Sequence, residues 1–131
     1  MASAEAALIA VLLADPAVAG LAGNRVFLQG ARQGAGYPYI SLVRISTGAA
    51  SHLAGAATLE WPRLQIDCWA ETALAALALA EAVRSAIDAV PALGAGLSFI
   101  ATFEDQRGPA PDEATRNFRV SQDYFVWYER N

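Results

Sequence analysis

The sequence contains no lysine, one cysteine, one histidine and one methionine among its 131 residues. Each scarcity closes off a class of chemistry. A lone Cys68 admits no intramolecular disulfide, and on the apolar side of an alternating segment it reads as a buried thiol. His52, the only histidine, has no Cys or second His near it in sequence, so no zinc-type ligand spacing exists and the residue reads as solvated. Nine arginines stand against thirteen acidic residues, for a net charge of −4, and no basic run provides the footprint of a nucleic-acid binder. Long apolar runs are missing too. None reaches the roughly 18 to 20 residues of a bilayer span, so no membrane partner is expected. The stretch from Ala6 to Ala14 resembles the middle of a signal peptide, but no basic residue precedes it and Glu5 falls within the expected leader, so cleavage is not expected.

What is present is clearest between Leu59 and Val90. Leu64, Ile66 and Cys68 alternate with Arg63, Gln65, Asp67 and Trp69, the period of a half-buried strand. Thr72 then offers an N-cap, after which Ala76, Leu79, Ala80, Val83, Ile87 and Val90 form one helical stripe opposite Glu81, Arg84, Ser85 and Asp88. At about 100° per residue Leu74 and Leu77 land on the polar side. They fit either a helix start lying under a loop or a subunit contact.

Along the chain, Ser3 caps a helix over residues 4–14 with Glu5 in its first turn, and Asp15-Pro16 ends it. Residues 17–21 read as one further helical turn, closed by Gly23-Asn24, and residues 25–28 as a short strand. The glycine-rich segment 30–36 lacks the Lys-Ser/Thr of a phosphate loop and leads through Tyr37-Pro38 into a strand, so it reads as a flexible linker. Residues 39–46 form that strand. The small residues of 47–57, including Thr47, His52 and Leu53, read as a mobile finger before the returning strand. Pro62 predicts a bulge or unpaired edge beside Trp61. A turn at Pro91, Gly94 and Gly96 precedes a strand over 97–104, then a solvated loop over 105–115 and a long strand over 116–129. In the last strand Phe118, Val120, Tyr124, Val126 and Tyr128 share a face that Gln122 interrupts. Phe125 and Trp127 make its other face aromatic as well, so either something besides the helices covers that face or the strand end is an interface.

Together these elements predict one α+β domain over residues 1–131, a mainly antiparallel sheet of four to five strands with two helices packed on one face. No catalytic constellation accompanies them. Glu104-Asp105 and Asp112-Glu113 sit in a segment rich in proline and glycine, where charges are solvated, and no cofactor or metal is implied. Three function classes are open on these residues: a structural or interaction protein, a small ligand-binding α+β module, and a hydrolase or nuclease using Asp67, Glu104 and Asp105.

The order of several phrases carries a resemblance. They are Leu12-Leu13-Ala14-Asp15-Pro16-Ala17-Val18, Asn24-Arg25-Val26-Phe27, Tyr37-Pro38-Tyr39-Ile40, Leu64-Gln65-Ile66-Asp67-Cys68-Trp69-Ala70, Ala80-Glu81-Ala82-Val83-Arg84 and Phe118-Arg119-Val120-Ser121-Gln122-Asp123-Tyr124. In that order the chain resembles the tail-completion, or tail-terminator, family of long-tailed phages and gene transfer agents. The resemblance implies a virion protein without an active site, made in the bacterial cytoplasm. It implies a ring, usually hexameric, that caps the tail tube, ends its growth and meets the head connector while DNA passes through the lumen. The expected contacts, with copies of itself, the tube protein and the connector, fall at Leu74, Leu77, Trp61, Phe125, Trp127, Thr47, His52 and Leu53.

Overall fold

A computed structural model describes residues 3–30, 36–51, 58–90 and 99–130. Helix α1 (Ala4–Ala14) begins where the Ser3 hydroxyl accepts the Ala6 N–H at 3.1 Å. It ends at Asp15, whose carboxylate then caps α2 (Pro16–Ala22) by accepting the Val18 N–H at 3.0 Å. The expected single turn is thus a separate helix, so that among the described residues three helices stand where two were expected. The third, α3 (Ala73–Asp88), starts on the Thr72 hydroxyl, which accepts the Ala75 N–H at 3.1 Å.

Seven strands form one sheet: β1 (Val26–Leu28), β2 (Tyr39–Ser46), β3 (Ala49–Ser51), β4 (Thr58–Glu60), β5 (Arg63–Ala70), β6 (Phe99–Pro111) and β7 (Phe118–Arg130). Among the described residues only β1 and β2 pair in parallel. The count exceeds the expected four to five because two strands are interrupted. Ladder β2–β5 stops at Ser46 opposite Arg63, and ladder β3–β4 resumes at Ala49 opposite Glu60 with no residue gained on either side. Along β7 the same interruption leaves Arg63 opposite Phe125 and Glu60 opposite Tyr128. The seven strands therefore follow five paths: β1, β2 with β3, β4 with β5, β7, and β6.

The break falls at Trp61-Pro62, where the proline predicted it. Pro62 has no N–H, yet its carbonyl accepts the Val126 N–H at 3.0 Å, and the Trp61 N–H reaches the Gly48 carbonyl at 2.8 Å. Segment 47–57 is correspondingly more ordered than a finger at its base, since β3 and β4 lie in or beside it. Its centre, with His52 and Leu53, lies outside the described residues, as do the turn at Pro91, Gly94 and Gly96 and most of the linker at 30–36.

The largest departure is at 105–111. The expected loop is the second half of β6, paired with β7 out to Pro111 opposite Phe118, with register shifts between Phe103 and Asp105 and between Arg107 and Ala110. An edge strand needs hydrogen bonds on one side only, so prolines that would break an interior strand are accommodated there. The connecting turn shrinks to 112–117, where Asp112 accepts the Thr115 hydroxyl at 2.9 Å.

The helices cover one face of the sheet. Leu8, Leu12, Val18, Leu79 and Val83 pack against Ile40, Leu42, Leu64, Ile66, Val120 and Val126, all fully buried. Burial of each large side chain contributes roughly 1.5–3 kcal/mol. Gln122, the polar interruption in β7, points into this core. It donates to the Ala80 carbonyl of α3 at 3.0 Å and accepts the Tyr124 hydroxyl at 2.9 Å.

Candidate interaction surface

Because successive side chains alternate, the residues between the core positions form a second sheet face that the helices do not cover. Its centre is polar. The Ser121 hydroxyl donates to Asp67 at 2.6 Å, and the Gln65 amide donates to the same carboxylate at 3.0 Å. Asp123 accepts from Arg63 at 2.7 Å and from Arg107 at 3.0 Å, and Arg107 also donates to Asp105 at 3.1 Å. Although this face lacks a helix, Asp67, Ser121 and Asp123 are buried by their neighbours.

Aromatic groups bracket the polar centre. Toward the Ala70 end of β5, Trp69 stacks on Tyr39 at 5.8 Å between centroids and carries Arg119 at 5.3 Å from its ring. Toward the other end, Trp61 stacks on Trp127 at 5.5 Å, Trp127 lies 6.3 Å from Phe125, and Arg63 sits 5.3 Å from the Phe125 ring. Gly48 lies under the Trp61 indole, where a Cβ would fall 1.8 Å from its Nε1.

The structure thus brings together Trp61, Phe125 and Trp127. Thr47 instead accepts the Arg44 guanidinium at 2.8 Å, and Arg44 also pairs with Glu5 of α1. Leu74 is elsewhere, just beyond the Ala70 end of β5, and is 79% exposed. Leu77 parts from it: rather than pointing to solvent, it packs half-buried against the core. The helical wheel placed it wrongly because α2 and α1 widen the buried arc of α3 beyond what the sheet alone would cover. His52 and Leu53 lie outside the described residues.

The ion-pair network escaped sequence reasoning. Its signal was the polar side of two alternating segments, 63–67 and 121–123, but nothing local says that the two are neighbours. Burial pushes the Asp123 carboxyl upward, while hydrogen bonds and charge from Arg107 and Arg63 outweigh it and hold the group below its ordinary 3.8. The network's stability is therefore complete above that ordinary value and drains away as pH falls through the lower folded one. Asp123→Asn is expected to cost about 1–2 kcal/mol at neutral pH and to flatten the acid limb of stability. Urea midpoints measured from pH 7 down to pH 2 check this, and parallel curves for the two proteins would refute it.

The charged groups of this surface are occupied with one another. The carboxylates of Asp67, Asp105 and Asp123 are engaged by donors, and among the described residues no group of three or more His, Cys, Asp or Glu could hold a metal ion. The Cys68 thiol faces the core, and burial, with the nearby Asp67 charge, pushes its pKa far up, away from the thiolate a nucleophile needs. Helix-backed sheet and aromatic-ended open face define an α+β protein with one sheet face left uncovered by helices.

Comparison with known proteins narrows the class. The family described as tail completion protein gp17 matches residues 6–129. The chain belongs to that family, and is in the coarse sense a structural protein of phage-type tails. No curated protein sequence matches it. Among solved structures it is similar to a chain from the virion of a native gene transfer agent particle, with a TM-score of 0.76 and 22% identity over 98% of this chain and 96% of that one. The family and the fold expected from the ordered phrases are both found.

Proposed function

We propose that this chain closes the head-proximal end of a tail tube as a homo-hexameric ring, stops the tube's growth and joins it to the head connector. DNA passes through the lumen without specific binding. The role is structural, without catalysis or cofactor, and its place is the tail of a phage or gene transfer agent particle. The observation that carries this reading is the family match over residues 6–129. Exposed apolar groups add physical support: Trp127 and Ile100 on the open face, and Leu74 on α3 in the helix layer, stay in water unless partners cover them. A net charge of −4 also suits a conduit that must release DNA.

The test is the mass of the purified protein by light scattering, with and without assembled tubes. A six-subunit species, or one that forms only on tube ends, is the expected result. Leu74→Glu is expected to weaken assembly and leave the thermal transition in place, since the side chain is 79% exposed in the single chain. Leu77→Glu, by contrast, should unfold α3. A monomer that ignores tubes would favour the ligand-binding module, for which the structure offers a cleft of about 330 Å³ lined by Trp69, Ala110, Pro111, Asp112, Glu113 and Arg119.

A further inference from the structure

On one side the sheet ends in β6, which among the described residues pairs only with β7. Its two halves differ in kind. The later half carries Asp105, Arg107, Pro109 and Pro111 and the second register shift, all of which discourage an added strand. The earlier half, Phe99-Ile100-Ala101-Thr102-Phe103, has no charge, proline or glycine. Soluble proteins guard exposed strand edges, so an edge guarded over only half its length points to use of the other half. Ile100 is 49% exposed and opposite Trp127, so the apolar patch of the open face runs out to this unguarded edge.

The opposite side of the sheet has a matching gap. Strand β1 covers β2 only as far as Leu42. Among the described residues no strand pairs the outer edge of the β2 and β3 path beyond that point, where Ile45, Ser46, Thr47, Gly48 and Ala49 are all uncharged and Ile45 is 51% exposed. The two gaps lie level. Ala49, Glu60, Tyr128 and Phe99 form one cross-strand row, and Ser46, Arg63, Phe125 and Thr102 form another.

We infer that these edges join copies of the chain to one another, residues 99–103 of one copy adding to residues 45–49 of the next. Strand directions alternate from β2 through β5 and β7 to β6, so the joint is antiparallel. The occupant is a second copy because one chain carries both unguarded edges, at one level and at opposite ends of one sheet. Such a contact is head to tail, and head-to-tail contacts close into a ring when the rotation divides a full turn. The inference rests on the ring reading and specifies its joint.

Two variants test it in the full-length chain. Ile100→Lys with Thr102→Lys puts the missing guard charges on exposed positions. Assembly should then need roughly tenfold or more higher protein concentration, with the thermal transition unchanged. A chain carrying both Ser46→Cys and Thr102→Cys should, on oxidation, give a covalent ladder up to ring size, while each singly substituted chain, with Cys68 buried, gives none. Lysine variants that assemble like the unaltered chain, or disulfides from Thr102→Cys alone, would overturn the joint and leave the ring standing. If the unaltered chain never exceeds monomer mass, with or without tubes, ring and joint both fall.

Discussion

Gly108→Ala is expected to lower stability by about 3 kcal/mol, a large share of the 5–15 kcal/mol typical of a domain. Two independent causes act at this one position. The residue has φ of +97°, a backbone region that L side chains rarely adopt, and forcing a residue into it costs of order 1–3 kcal/mol. In addition, a Cβ would lie 2.5 Å from the Arg119 carbonyl oxygen and 3.1 Å from the Ala110 nitrogen. Both obstacles are backbone, so no rotamer change relieves the contact. The second half of β6 must therefore lift from β7, and Arg107, held by Asp123 and Asp105, would be drawn away with it. Chemical denaturation should show the loss. Amide exchange should show where it falls, with faster exchange over 105–111 and little change in α1. A substitution that leaves the denaturation midpoint in place would mean that this edge relaxes without strain.

The second large effect is expected at Gln122, a polar side chain fully enclosed by the core. Gln122→Leu keeps the volume but strands the Tyr124 hydroxyl and removes the donor to Ala80 and to Gln106, the latter at 2.8 Å. An unpartnered buried hydroxyl costs about 1–3 kcal/mol, so a loss of about 2–3 kcal/mol is expected. Tyr124→Phe should cost about 1–2 kcal/mol by leaving the Gln122 carbonyl oxygen without its donor. The two changes together should cost clearly less than their sum, because each removes the partner that the other leaves unsatisfied. Strict additivity in this double-mutant cycle would mean that the hydrogen bond contributes nothing to the core. Arg84, stacked at 3.7 Å over Phe103, which itself meets Tyr124 edge to face, closes the same region from above.

Most of the local architecture was legible because its causes are local. Ser3, Asp15-Pro16 and Thr72 mark helix ends through hydrogen bonds to residues three positions away, and the structure places the caps there. Strands β2 and β5 follow from alternation and β-branched content, and Pro62 breaks its strand for a reason contained in its own ring. The ordered phrases also sufficed to place the chain in its family, since a family is a sequence of such local signals. On the open face, Phe125 and Trp127 could be singled out because two aromatic faces on one strand cannot both meet a single helix layer, and Trp61 because it adjoins the break at Pro62.

What tertiary structure alone decided is everything that depends on which distant segment lies alongside. Residues 105–111 have the composition of a loop and became strand only because β7 offered a free edge to pair with. Leu74 and Leu77 differ by one turn of one helix, yet one faces solvent and the other packs inward because the arc of a helix that is buried depends on its neighbours. Arg63, Asp67, Arg107, Ser121 and Asp123 are ordinary polar residues in the sequence and a closed network in the fold, since only the register of β5, β6 and β7 brings them within bonding distance. Composition and periodicity act over a few residues. Register, edge and face are set by contacts between residues tens of positions apart, and the open face of this protein is made of those.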